Sequence, residues 1–242
     1  MTEPAPLTLA PPTLDGGVES VTRHLRDLIL RGQIPTGPVS QVQLARQLGV
    51  SRTPLREAIR MLQNEGLLTG EMNHRVYVPP LSLTDLDELY ALRITVETLA
   101  VRLRVPHLTG AEFTEMQRLL DQMTELLRDD DLKAYETGEA AHAAFHLSLT
   151  RHAGERLRRQ VQQLHDHTDR YRYAYISQRI TTAQDSRAAH EAILTAARSQ
   201  NTGLTTTLLA RHYASTVISL IALIEPTFEP VCTRTALKQA SV

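Results

Sequence analysis

The chain has little cysteine and few aromatic residues: one Cys, no Trp and 4% aromatic residues in 242. The single cysteine, Cys232, cannot form a disulfide within the chain, which excludes the class of small secreted domains built on disulfides. The N-terminus also lacks the basic segment and apolar run of a signal peptide. We therefore expect a cytoplasmic protein.

Long hydrophobic runs are missing as well. The longest strongly apolar stretch, Val217 to Ile224, is far shorter than the roughly 20 residues that span a bilayer. The sequence therefore predicts no membrane helix. Because 42% of the residues are hydrophobic, the chain has enough apolar side chains for one large or two modest packed domains.

An excess of charge of one sign is also absent, since 26 basic residues face 27 acidic ones. This balance excludes a generally polybasic surface, but it leaves room for a local basic patch. Between residues 40 and 60 there are four arginines and a single acidic residue, namely Arg46, Arg52, Arg56, Arg60 and Glu57. This segment is the first candidate for contact with nucleic acid.

The first third of the chain has the pattern of a winged helix-turn-helix. Residues 1–16 are rich in proline and are predicted to be a disordered arm. Residues 17–80 then contain, in order, a helix from Val18 to Gly32, a short helix capped by Ser40 and ended by Gly49, a longer helix from Ser51 to about Glu65, and a hairpin of Leu67–Thr69 with Val76–Val78. The pattern predicts that the third helix enters the major groove of DNA by its N-terminus.

After Pro79 and Pro80 the pattern changes to long amphipathic helices. We predict them near residues 82–104, 109–128, 131–152, 155–176, 183–199 and 203–225. The predicted fold class is therefore mainly α: a winged helix-turn-helix domain over 17–80, followed by an all-helical antiparallel bundle over 81–226. Residues 227–242 are predicted to be a flexible tail.

The predicted recognition helix begins with residues suited to DNA. Arg52 and Arg56 lie four residues apart on one face, where a guanidinium can bind guanine in bidentate fashion. Ser51 and Thr53 carry hydroxyls suited to phosphate oxygens. The alternative is that these arginines only solvate an exposed helix face, with Glu57 as a partner.

Four histidines of the helical region lie on predicted inward faces: His142 and His146 on one helix, and His190 and His212 on two others. Taken singly, each is explained by a hydrogen bond in the core. Taken together, neutral imidazoles from three helices suit a divalent ion such as zinc or nickel. Arg93 and Glu97 form another inward pair, in which Arg93 either pairs only with Glu97 or holds the carboxylate of a small organic acid.

Two segments carry a resemblance to a known family: ILRGQI at 29–34 and LGVSRTPLREAI at 48–59. They closely resemble the DNA-binding domain of GntR-family bacterial transcription regulators. The resemblance implies that Arg52 and Arg56 read bases, that Ser51 and Thr53 fix phosphates, and that the wing contacts the minor groove. The family's wing tip usually contains a glycine, whereas this chain has Asn73, His74 and Arg75 there, so we expect Arg75 to enter a narrow minor groove.

The helical region resembles the FCD class, the effector domain of FadR-type GntR regulators. Many members bind a metal beside the effector through an aspartate and three histidines. The resemblance assigns His146, His190 and His212 to the three histidines and places His142 at the aspartate position. His165 is expected to line the effector pocket together with Arg93.

The sequence therefore predicts a homodimeric repressor that binds a double-stranded DNA operator and is not an enzyme. A small carboxylate bound beside the metal is expected to change its operator affinity. The alternative is a metal-dependent hydrolase in the helical domain. It is disfavoured because no acidic residue is evident on the stripe of His142 and His146 to act as a general base.

Overall fold

The computed structural model describes residues 16–70, 75–126, 132–176 and 183–240. Within these ranges lie helices α1 Val18–Leu30, α2 Gln41–Leu48, α3 Arg52–Asn64, α4 Leu83–Arg104, α5 Gly110–Leu126, α6 Leu132–Thr150, α7 Glu155–Ile176, α8 Ala183–Arg198, α9 Thr202–Ile224 and α10 Val231–Ala240, and strands β1 Gly37–Ser40 and β2 Arg75–Val78. The chain divides into two compact units, residues 1–81 with 169–177, and residues 82–168 with 178–242. The predicted arm, apart from residue 16, and the wing tip at 71–74 lie outside the described residues.

The first unit contains the predicted helix-turn-helix. The Ser40 hydroxyl accepts a hydrogen bond from the Gln43 amide and so caps α2. The helix ends at Gly49, whose φ of 63° is readily adopted only by glycine. Helix α3 then starts directly after Ser51. One apolar cluster joins α2 to α3 through Leu44, Leu48, Leu55, Ile59 and Leu62.

The wing differs from the predicted hairpin. Strand β2 pairs in antiparallel register with β1, which precedes α2, so that Gly37 lies opposite Val78 and Ser40 opposite Arg75. The predicted partner strand, 67–69, contributes only a single bridge between Thr69 and Tyr77. The predicted pairing is therefore confirmed only at Thr69 and Tyr77, and the pairing with β1 was missed because alternation within a short strand does not reveal which distant segment completes its hydrogen bonds.

The second unit is an all-helical bundle, as predicted. Helix α4 packs against α6, α9 and α10, while α5 packs against α6 and α8. Helix α9 is long and apolar enough to cross a membrane by length and composition alone. We assign it to the bundle core, since one side of it is buried against α4 and α8 and Arg211 lies near its middle.

The predicted flexible tail is wrong for residues 231–240, which form α10. The carboxylate of Asp87 on α4 accepts hydrogen bonds from the amides of Cys232 and Thr233, at 2.9 and 2.8 Å. These amides belong to the first turn of α10, where no partner exists within the helix. A buried side chain 145 residues away therefore caps this helix, and such a long-range cap leaves no local signal in the sequence.

We expect Asp87→Ala to destabilise the protein by about 1–3 kcal/mol, because it removes the acceptor of two amide groups at the start of α10. Urea unfolding measures the loss, and amide hydrogen exchange over residues 231–240 locates it. Glu229→Ala is the matched control, since among the described residues this exposed carboxylate forms an ion pair only with Arg234, at 3.5 Å. Undiminished exchange protection of α10 in Asp87→Ala would show that the cap does not hold the helix.

Candidate functional site

The N-terminus of α3 presents the residues predicted to contact DNA. Ser51, Arg52, Thr53 and Arg56 are all exposed, whereas Leu55 behind them is buried. The apolar side of α3 therefore holds the helix in the core and leaves its polar side accessible. The same helix end carries unpaired amides and the positive end of the helix dipole, which favour phosphate.

The charges on this face are only partly compensated. Arg60 pairs with Glu57 at 3.1 Å, but Arg52 and Arg56 make no ion pair with any residue that the structure describes. Within the described part of the chain, no ion pair therefore compensates these two guanidinium groups. Arg75 is exposed at the start of β2, opposite Ser40.

The second candidate site lies inside the helical bundle, where four histidines converge. Ring nitrogens of His142, His146, His190 and His212 all lie within 4.8 Å of one another. The first three residues are buried, and His212 is partly exposed. Helix α6 supplies two of the rings because residues four apart share a face, while α8 and α9 supply one each.

The spacing of these nitrogens fits a single metal ion. The Nε2 atom of His146 lies 3.1 Å from Nε2 of His142 and 3.0 Å from Nε2 of His190. Two nitrogens bound to one ion at about 2.0–2.1 Å are separated by about 2.8–3.4 Å at octahedral or tetrahedral angles. An all-imidazole set suits zinc, nickel or copper better than magnesium or calcium, which prefer oxygen ligands.

A hydrogen-bonded relay sets the orientation of His146. The Tyr213 hydroxyl donates to Oε2 of Glu97 at 2.6 Å, and Nδ1 of His146 lies 3.1 Å from the same hydroxyl. Because the Tyr213 proton is given to Glu97, its oxygen is left to accept from Nδ1–H of His146. This assigns the tautomer whose bare Nε2 faces the other histidines, as a metal ligand requires.

Glu97 also holds Arg93 and contacts His165. The guanidinium Nε donates to Oε1 of Glu97 at 2.7 Å, and Nη2 lies 3.0 Å from Nε2 of His165. The same His165 nitrogen lies 3.1 Å from Oε2 of Glu97. The cation of Arg93 is also positioned over the rings of Tyr90 and Tyr213, at 5.4 and 4.2 Å from their centroids.

The electrostatics keep Arg93 and Glu97 charged and His146 neutral. Burial alone would raise the pKa of Glu97, but the charge of Arg93 and hydrogen bonds from Arg93 and His165 hold it at about 2. Burial and the three neighbouring histidines keep the pKa of His146 well below its usual value. Burial, and next the charge of Glu97, raise the pKa of Tyr213. At neutral pH, His146 therefore presents a lone pair and Tyr213 keeps its proton.

The structure thus brings together all four predicted metal ligands, and separately places His165 beside Arg93. The sequence analysis missed Tyr213, since nothing local links this residue to Glu97, 116 positions earlier. It also overlooked Glu139, which is buried on α6 three residues before His142. An acidic residue is therefore present on that stripe, although its oxygens are outside the group of converging donor atoms.

Two family models match the chain: bacterial regulatory proteins of the gntR family over residues 18–78, and the FCD domain over residues 88–215. The first match covers the helix-turn-helix unit, and the second covers most of the all-helical unit that holds the histidine cluster. The chain belongs to the GntR family and carries an FCD domain.

Curated relatives bear regulator names. The chain is 41% identical over 105 residues to the Nta operon transcriptional regulator of Aminobacter aminovorans, a match that covers 43% of this chain and 45% of that protein. It is 33% identical over 107 residues to the HTH-type transcriptional regulator YdhC of Bacillus subtilis, covering 44% and 48%. The chain thus spans about half the length of these relatives. Neither name is that of an enzyme, so the hydrolase alternative gains no support.

Solved structures share the fold. Escherichia coli McbR/YncC superimposes with a TM-score of 0.73 at 22% identity, covering 86% of this chain and 98% of that one. A putative GntR regulator from Rhodococcus sp. RHA1 gives a TM-score of 0.66 at 22% identity, covering 88% and 99%. At this identity the likeness supports the fold alone.

We expect Tyr213→Phe to weaken metal binding by about 10- to 100-fold, because it removes the hydroxyl that orients His146. Competition against a chromophoric chelator, with zinc and with nickel, measures the affinity. Tyr90→Phe makes the same change on a neighbouring ring, 6.4 Å from Tyr213 between centroids, and is expected to bind metal normally.

His190→Ala serves as the reference for loss of a ligand. If Tyr213→Phe leaves the metal affinity unchanged while His190→Ala clearly lowers it, the relay through Tyr213 does not contribute to metal binding. Unchanged affinity in both variants would show that the histidine cluster does not bind the metal.

Proposed function

We propose that this protein is a cytoplasmic, homodimeric transcription repressor that binds a double-stranded DNA operator and responds to a small organic acid. The observation that carries the proposal is the exposed α3 N-terminus with two uncompensated arginines. It occurs in a chain whose family is that of bacterial transcription regulators. Relatives are named as repressors, including a probable one of a D-xylose utilization operon in Paenarthrobacter nicotinovorans.

Base recognition is assigned to Arg52 and Arg56. They are exposed one turn apart on α3, so both side chains reach into the groove that the helix enters. Ser51 and Thr53 hold the adjacent phosphate together with the first-turn amides. Arg75 on β2 is assigned to the minor groove, where a narrow A·T-rich segment attracts a guanidinium.

The sensor is assigned to the histidine cluster and to the network around Arg93. His142, His146, His190 and His212 would hold a divalent ion, with zinc or nickel the metals of choice. Because all four ligands are neutral, the bound ion would supply an uncancelled double positive charge that attracts a carboxylate. Arg93 supplies a second cation, and His165, whose Nε2 lies 3.0 Å from Nη2 of Arg93, is assigned to the effector pocket with it.

Arg93 can gain an anionic ligand without losing Glu97. A guanidinium has five N–H donors; Nε of Arg93 donates to Glu97 and Nη2 lies 3.0 Å from Nε2 of His165, so donors remain for an anionic ligand. Glu97 meanwhile keeps its bond from Tyr213, so the relay to His146 can persist when an effector binds. Dimerisation follows from the need for two recognition helices on a pseudo-palindromic operator.

Base reading is tested by replacing single arginines. We expect Arg52→Ala and Arg56→Ala each to cost about 1–3 kcal/mol of affinity for an operator selected from random duplexes, and to relax the preference for particular bases. Arg60→Ala is the matched control. Arg60 lies one turn beyond Arg56 on α3 and already pairs with Glu57. Full affinity and full selectivity in both test variants would refute the assignment.

Effector binding is tested on metal-loaded protein by a thermal-shift screen of small mono- and dicarboxylates, because a ligand of the native state raises the unfolding midpoint. We expect Arg93→Ala to lose the shift while keeping operator binding. Since that change leaves Glu97 buried without its cation, Arg93→Met/Glu97→Gln provides a charge-neutral second variant. A normal shift and a normal operator response in both variants would leave the ion pair with a structural role only.

A further inference from the structure

Helix α4 carries an apolar stripe on the side that faces away from the bundle. Leu92, Leu99 and Leu103 are 54%, 49% and 54% exposed and form one contiguous apolar row, the kind of surface that marks an interaction site. Val96 lies half-buried between them. We call these four residues the α4 seam.

The spacing within the α4 seam is that of a coiled coil. Its members follow one another at intervals of four, three and four residues, which places them in one narrow row along the helix. The opposite side of α4 is occupied by the buried Arg93 and Glu97. The seam is therefore a second, distinct apolar face, and no described residue of the second unit covers it.

A polar row runs beside the seam with a period of seven residues. It consists of Glu88, Thr95 and Arg102, all of them exposed. Neither Glu88 nor Arg102 forms an ion pair with a residue in the described part of the chain. The row thus has a negative end, a neutral middle and a positive end.

This order of charges is complementary to itself under a two-fold axis. When two identical helices pack antiparallel, each flanking row meets the same row of the other copy in reverse order. An axis near Thr95 then places Glu88 of each copy opposite Arg102 of the other copy, which gives two symmetry-related contacts. A parallel pair would leave these charges about 20 Å apart along the helix, since 14 residues rise by that length.

We propose that the α4 seam is the homodimer interface and that its occupant is α4 of a second copy of this chain, packed antiparallel across a two-fold axis near Thr95. This inference rests on the dimer contained in the proposed function and adds its location. One helix then carries the sensor network on its inner side and the partner on its outer side. A shift of α4 on effector binding would thereby reach the dimer contact directly.

The oligomeric state of the full chain tests the proposal by sedimentation over a wide range of concentrations. We expect Leu99→Glu to raise the dimer dissociation constant by at least about tenfold, as loss of a central apolar contact does. Glu88→Arg and Arg102→Glu should each weaken the dimer, because each creates two like-charge contacts. The double variant Glu88→Arg/Arg102→Glu should restore it, since the charges are then exchanged on both copies.

A crosslink locates the axis. In a Cys232→Ser background, Thr95→Cys should join two copies through a short bis-maleimide. Arg102→Cys should not, because its own counterpart lies about 20 Å away. Unchanged circular dichroism and metal binding confirm that each variant is folded.

The outcomes separate the interface from the function. A dimer that tolerates Leu99→Glu and shows no charge-exchange rescue would overturn the α4 interface and leave the regulator intact. A wild-type protein that is monomeric at all concentrations would overturn the interface and the dimeric part of the proposed function. In that case the assignments of the DNA-binding residues and of the metal ligands would still stand or fall by the separate variants that test them.

Discussion

The second unit depends on a buried charge pair that has to be complete. Arg93 and Glu97 lie one turn apart on α4 and are almost fully excluded from water. Loss of either partner would strand the other charge, at a cost of about 3–5 kcal/mol in comparable pairs. The remaining capacity of Glu97 is used by Tyr213 and His165, which brings α9 and α7 to the same point. The pairing also affects His146, because Glu97 holds the Tyr213 hydroxyl that orients this ring.

Local signals were enough to predict most of the helical architecture. Gly49 and Ser51 mark the turn of the helix-turn-helix, and Pro79 with Pro80 marks the change to long helices, because glycine, serine and proline act on the backbone where they stand. The observed helix ends differ from the predicted ones by only a few residues. The pairing of β1 with β2 and the docking of α10 could not be predicted, since both depend on partners that are distant in sequence.

The four histidines of the metal cluster could be predicted from the sequence, but their hydrogen-bond partners could not. His142 and His146 reveal themselves by their spacing, whereas the convergence of His190 and His212 on them follows only from how α8 and α9 pack. Tyr213 is next to the predicted ligand His212 and was still missed, because adjacent residues on a helix point about 100° apart and Tyr213 is therefore not on the same stripe as His212. The relay from Glu97 to His146 is a property of the folded bundle and has no motif.

The hydrogen bonds between Asp87 and the first turn of α10 make this helix part of the bundle. Asp87 is buried and receives its two amide hydrogen bonds from residues 232 and 233. Shortening the chain before residue 231 would therefore do more than remove ten helical residues, since it would leave a carboxylate inside the protein without its donors. Engineered truncations should stop beyond α10, and added tags belong after residue 240, at the end of the helix remote from Asp87.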